Sequence, residues 1–167
     1  MEELIKKLEN LDRITNYFNL VRITFGIFDD VGNQVEEITV LNLDGTTSKA
    51  KMKLSEIMYL TEKGTITIPP KPVMRRIMEQ INYWLPRVTA EIYEKIRTEN
   101  WDIPEIRDRL VLFNRQINDL YIPNAIASVL SSDNVVSGIL NEKEDQNYTF
   151  DLKKLKNFIK SRIFFAD

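Results

Sequence analysis

The sequence predicts an α+β fold: a small antiparallel sheet made by N-terminal strands and a C-terminal strand, packed against a long bent helix and further helices. Three observations predict it. Apolar and polar residues alternate near both ends of the chain, the spacing of half-buried strands. Between those ends the apolar residues recur every three or four positions, the spacing of amphipathic helices. The chain has 167 residues, 43% of them apolar, enough for one well-buried core and too few for two, so residues 1–167 read as a single domain.

Residues 1–18 carry Leu4, Ile5, Leu8, Leu11, Ile14 and Phe18 on one helical stripe. Acids precede bases on the polar face, as the helix dipole favours. From 20 to 28 the period switches to two: Val21, Ile23, Phe25 and Ile27 alternate with Arg22, Thr24 and Gly26, a strand. Asp29 to Asn33 supplies turn chemistry, and Val35 to Leu43 reads as a second strand ended by Asp44-Gly45. Thr46 to Lys53 is polar, and its alternating Lys49, Lys51 and Lys53 predict an exposed loop or a strand edge guarded against pairing.

Leu54 to Glu62 predicts a short helix with Leu54, Ile57, Met58 and Leu60 inward, stopped by Gly64. Thr65 to Ile68 reads as extended and runs into Pro69-Pro70-Lys71-Pro72, whose prolines hold the backbone straight. The longest periodic segment follows. Val73, Met74, Ile77, Met78, Ile81, Trp84, Leu85, Val88, Ile92 and Ile96 define one helix, bent near its middle by Pro86. Asn100-Trp101-Asp102 breaks it, and Asp102 with Glu105 forms a capping-box pattern with Pro104 in the first turn. The next helix turns Ile106, Leu110, Phe113, Ile117 and Leu120 inward and ends at Pro123. A shorter helix spans Asn124 to Ser131, and Ser131 to Asn147 reads as a polar, acidic surface loop. Leu152 and Leu155 suggest a helical turn, and Ile159, Ser161, Ile163 and Phe165 a last strand.

Composition narrows the function. The chain has no cysteine and no histidine, which removes disulfides, thiolate nucleophiles, zinc fingers and imidazole acid–base chemistry. No apolar run is long enough for a membrane span, and the charged opening predicts no secretory leader. A formal charge of −2 gives no global attraction for nucleic acid or anionic lipid. The expectation is a protein that is not an enzyme, with no cofactor, no metal and no membrane partner.

Several residue groups offer chemistry, each beside a plain structural reading. Asp29-Asp30 and Glu36-Glu37 are paired carboxylates that a hydrolase could use, but neighbouring acids on a strand point to opposite faces. Asp29, Asp30 and Asn33 around Gly32 only faintly resemble a calcium loop, whose ligand spacing fails here. Lys63, Lys71, Arg75 and Arg76 gather at the start of the long helix, where they could meet phosphate or simply face water. Tyr83, Trp84, Tyr93 and Trp101 could stack on bases, though their apolar neighbours favour packing.

One segment carries a family resemblance. Met52 to Thr65, followed by Ile68 to Arg75, resembles the tailed-phage neck and head–tail joining proteins, which include minor tail protein Z-like tail-completion factors. Those proteins read as a short helix closing on a glycine–threonine, then an extended proline-flanked run that opens a long helix. Glu56, Ile57, Glu62, Gly64, Thr65, Ile68, Pro69, Pro72 and Arg75 fall at matching positions. Lys63, Lys71 and Val73 replace the family's usual Phe, Arg and Phe.

The resemblance implies a virion subunit that forms a ring between head connector and tail and contributes to the DNA conduit. It implies a hexamer, or a dodecamer where the connector sets the number. Its partners would be the head connector or adaptor, the tail terminator or tail tube, and DNA passing without sequence preference. The implied subunit interface is Glu62, Gly64, Thr65, Ile68, Pro69, Pro70, Lys71, Pro72 and Arg75; Lys63, Lys71, Arg75 and Arg76 would meet acidic partners or DNA phosphate. Assembly would take place in the host cytoplasm. The competing expectation is a small intracellular adaptor or regulator that binds one partner through the face around Trp84 and Trp101.

Overall fold

The computed structural model describes residues 1–41, 44–64, 70–137 and 155–165. Helix α1 (Glu2–Leu20) leads into strand β1 (Arg22–Gly26), and the single turn α2 (Asp29–Gly32) follows. Strands β2 (Val35–Leu41) and β3 (Thr47–Lys53) come next, then α3 (Leu54–Lys63) and the 27-residue α4 (Val73–Glu99). Helix α5 (Ile103–Gln116) runs through a π-helical turn (Ile117–Tyr121) into α6 (Ile122–Ser137). The turn α7 (Leu155–Phe158) and strand β4 (Lys160–Phe164) complete the order. The fold is mixed helix and strand, with two small antiparallel sheets against a long helix and its companions.

The strands divide differently from the expectation of one sheet. β1 pairs with β4, Arg22 opposite Phe164 and Gly26 opposite Lys160, so N- and C-terminal strands do join. β2 instead pairs with β3, Val35 opposite Lys53 and Leu41 opposite Thr47. The polar stretch read as loop or edge is therefore a full strand. Period two explains it: Ala50 and Met52 share a face with buried Ile38, while Lys49, Lys51 and Lys53 occupy the other face. In the connecting turn, Asp44 accepts from the Thr46 amide at 3.0 Å, and Gly45 takes a φ of 84°.

The core gathers on α4, whose Val73, Ile77, Ile81, Val88 and Ile92 are buried. Ile106, Leu110 and Phe113 of α5 and Ile122, Ile126 and Val129 beyond it pack into the same cluster. Met78 and Trp84, expected on the inward stripe, lie at the water-facing edge of α4 instead. α4 continues helical through Pro86. The proline removes the amide that would serve the Asn82 carbonyl, and one residue further on the Arg87 guanidinium donates to the neighbouring Tyr83 carbonyl at 2.8 Å.

Pro123 does not end its helix either. The π-turn takes up one extra residue just before it, so the proline enters a restarting helix at its second position, where a missing amide is tolerated. The same slip rotates the apolar face, which is why Ile117 and Ile122 are buried while Leu120 is half in water. α6 runs on to Ser137, so the expected loop begins later than Ser131; Gly138 to Asn147 and Leu152 lie outside the described residues.

Asp102 caps α5 as the sequence predicts. Its carboxylate accepts from the Ile103 amide at 2.7 Å, and Glu105 accepts from the Asp102 amide at 2.9 Å. Asn100, at φ 55°, supplies the left-handed residue that ends α4. β4 is fastened to the π-turn by an unforeseen polar clasp. Asn118 donates to the Ser161 carbonyl at 3.0 Å and accepts from the Ser161 amide at 2.8 Å, while the Ser161 hydroxyl donates to Asn114 at 2.7 Å. Because Ser161 is buried, each of these bonds answers a group that water cannot reach.

Candidate functional site

The junction between α3 and α4 holds the residues singled out by the resemblance. α4 begins behind Pro72, which has no side chain able to cap it. The cap comes from the preceding helix: the two Glu62 carboxylate oxygens accept from the amides of Met74 and Arg75, each at 2.9 Å. A carboxylate there also faces the positive end of the helix dipole. Gly64 closes α3, its amide donating to the Leu60 carbonyl at 2.7 Å and its φ of 77° suiting glycine. The Lys71 amide donates to the Thr61 carbonyl at 2.7 Å, so the chain leaves and re-enters this site at one place.

These bonds define what the junction does physically. The described residues on either side of 65–69 are tied together, Lys71 to Thr61. Glu62 is engaged within its own chain as an inter-helix cap, while Pro70 and Arg75 are exposed and Lys71 and Pro72 half-buried. Thr65, Ile68 and Pro69 lie outside the described residues. Among the predicted basic contacts, Lys63 is exposed, and Arg75 and Arg76 both approach Glu79 at 3.7 Å. Exposed pairs of that length contribute little stability and leave both guanidinium groups open to a second anion.

The carboxylates considered for catalysis do not converge. Asp30 sits 3.6 Å from Arg162, whose guanidinium also lies 3.8 Å over the Phe28 ring. Glu37 faces Lys49 at 3.5 Å, and Glu36 takes the opposite face of β2. Among the described residues, no group of three metal-ligating side chains is close enough to hold an ion. No helix among them is long and apolar enough to cross a membrane.

Two further surfaces stand out, an apolar groove that no sequence pattern signals and an aromatic cluster that the sequence does signal. An apolar groove of about 380 Å³ opens between Phe18, Ile23 and Phe25 on one side and Met78, Ile81 and Leu85 of α4 on the other. An aromatic cluster lies farther along α4: Trp84 stacks on Tyr121 at 6.2 Å and meets Tyr83 edge-on at 5.0 Å, with Arg87 over the Tyr83 ring at 3.7 Å. Burial holds the Tyr121 hydroxyl above its ordinary pKa, against the opposing pull of Arg109. Aromatic spacing in the sequence signals this cluster, but only packing shows that Tyr83 and Trp84 reach the surface while Trp101 tucks against the core.

No known protein family matches the chain, and neither a curated protein nor a solved structure does.

Proposed function

We propose that this protein is a structural subunit of a tailed-phage neck. It would form a homo-oligomeric ring, of six copies or of twelve where the connector sets the number, between head connector and tail, and help line the DNA conduit. One observation supports the reading beyond the sequence resemblance: the tied base of the α3–α4 junction. Glu62 caps the start of α4, and the Lys71–Thr61 bond joins the chain just before it to the last turn of α3. An anchored junction of that kind offers the exposed Pro70 and Arg75 to a neighbour at low entropic cost.

In this reading Lys63, Lys71, Arg75 and Arg76 give local contacts to acidic neighbours or passing phosphate. With a net charge of −2 they tune those contacts and do not drive assembly. Electron microscopy of particles assembled with and without the protein tests the proposal. A ring density at the head–tail junction that disappears with the protein is expected; a protein absent from particles overturns it.

A second reading is favoured by the exposed Tyr83 and Trp84, backed by the half-buried Tyr121, a surface that suits a small adaptor binding one partner through aromatic contacts. Substituting Tyr83 and Trp84 by alanine would then abolish partner capture, whereas the neck reading places the sensitive positions at Pro70 to Arg75.

A further inference from the structure

Helix α1 leaves the body of the protein halfway along its length. Its second half is anchored: Ile14 and Tyr17 are buried, Tyr17 stacks on Phe165 at 6.2 Å, and Phe18 stacks on Tyr93 at 5.6 Å. Arg13 makes the last tether, donating to Asp102 at 2.7 Å. From Met1 to Arg13 every residue is exposed. Yet this half carries the helix's apolar stripe, with Leu4 57%, Ile5 50%, Leu8 56% and Leu11 41% exposed. A lone helix shorter than about 12–15 residues is marginal in water, so this segment gains most from something packed along it.

We infer that the stripe is the pairing surface for a second copy of this chain, with the two α1 helices side by side and parallel. Met1, Leu4, Leu8 and Leu11 follow the alternating three–four spacing of a coiled-coil seam. Lys7 and Asp12 flank that seam on opposite sides, five residues apart. In a parallel pair, this separation sets Lys7 of each copy against Asp12 of the other, giving two opposite-charge contacts. An antiparallel pair confined to the exposed segment instead sets Lys7 against Lys7 of the second copy. The charge pattern therefore selects both the occupant and its direction. Arg13, tied to Asp102 and Asn10, stays clear of the seam.

The pairing does not rest on the neck reading, because it uses none of the α3–α4 junction. A short seam is small beside a standard interface of about 1,200–2,000 Å², so the association is weak and depends on concentration. Sedimentation of the full chain up to about 300 μM should show mass rising towards a dimer. Leu8→Asp should shift that rise at least tenfold in concentration, with the helical circular dichroism of the body retained. Asp12→Lys should weaken association several-fold, and Lys7→Asp combined with Asp12→Lys should restore it.

Direction is read by cross-linking, which the cysteine-free chain makes clean. Leu11→Cys should oxidise to a covalent dimer, since parallel helices bring this position against itself. Tyr59→Cys, exposed on α3, should not. A chain monomeric throughout that range overturns the inference, as does equal cross-linking of the two cysteine variants. If Leu8→Asp leaves an oligomer intact, assembly uses another surface: the α1 pairing fails and the neck reading is untouched.

Discussion

α4 and α1 are both amphipathic helices with apolar side chains every three or four residues, yet their stripes end up in opposite surroundings. α4 buries Val73, Ile77, Ile81, Val88 and Ile92, because α3, α5, α6 and the π-turn all pack along it. The leading half of α1 leaves Leu4, Ile5, Leu8 and Leu11 in water, because nothing in the described fold lies beyond Arg13 on that side. Their starts differ in the same way. α4 is capped by Glu62 from another helix, whereas α1 begins at Met1 with no side-chain cap. Periodicity thus reports that a helix has a face to cover; it does not report who covers it.

The sharpest way to break this comparison is to empty a position on each stripe. Ile92→Ala removes a fully buried side chain from α4 and should cost about 2–5 kcal/mol in urea unfolding. Next comes the cap. Glu62→Ala leaves two amides at the start of α4 without their acceptor and should cost about 1–2 kcal/mol, with faster amide exchange at Met74 and Arg75. Glu62→Gln, which keeps one acceptor oxygen, should fall between.

Asp102 joins the two regions, capping α5 and holding Arg13 of α1. Its carboxyl titrates below the ordinary aspartate range, first because the Ile103 amide donates to it and then because of the Arg13 guanidinium. With the folded pKa depressed, the unfolded chain binds more protons in mild acid, so the contribution is present above the usual aspartate value. It is lost as pH falls through the depressed one. Asp102→Ala should therefore cost about 1 kcal/mol near neutrality, kept modest by solvent exposure, and the gap to the natural chain should close in acid. The smallest effect belongs to the exposed stripe. Leu8→Ser in dilute protein should change unfolding stability by no more than about 0.5 kcal/mol.

Much of this fold was legible in the sequence, because local physics and tertiary context agree there. The helical spans of α1, α3 and α4, the Asp102–Glu105 capping box and the Gly64 stop all depend on neighbours a few residues away. What was not legible depends on distant partners or on a change of phase. β3 looked like a guarded edge because its lysines face water, yet Ala50 and Met52 on its other face pair it with β2. Leu120 sits one helical step from Ile117 by counting, but the π-turn inserts a residue and moves the inward position to Ile122.

At the candidate site, the resemblance brought Glu62 and Arg75 to attention without saying what they do. Glu62 is an acid that the start of α4 needs, since Pro72 cannot cap. That role shows only when the α3 terminus is placed beside Met74 and Arg75. The Asn114–Asn118 clasp left a fainter trace, two amides one turn apart beside the apolar stripe of α5. Its partner Ser161 is more than forty positions away, too far for any local rule to connect.

The pairing of β1 with β4 bears on the order of events during synthesis. Arg22 to Gly26 leave the ribosome well over a hundred residues before their hydrogen-bonding partners, Lys160 to Phe164. Until then β1 has no strand beside it, and Ile23 and Phe25 have no sheet to complete. The helices between, dominated by nearby contacts, can settle as they appear, while the sheet must wait for an entropically costly long-range closure. An unfinished chain would therefore hold a helical body with an open strand edge, the kind of surface that invites a chaperone or a neighbouring nascent chain.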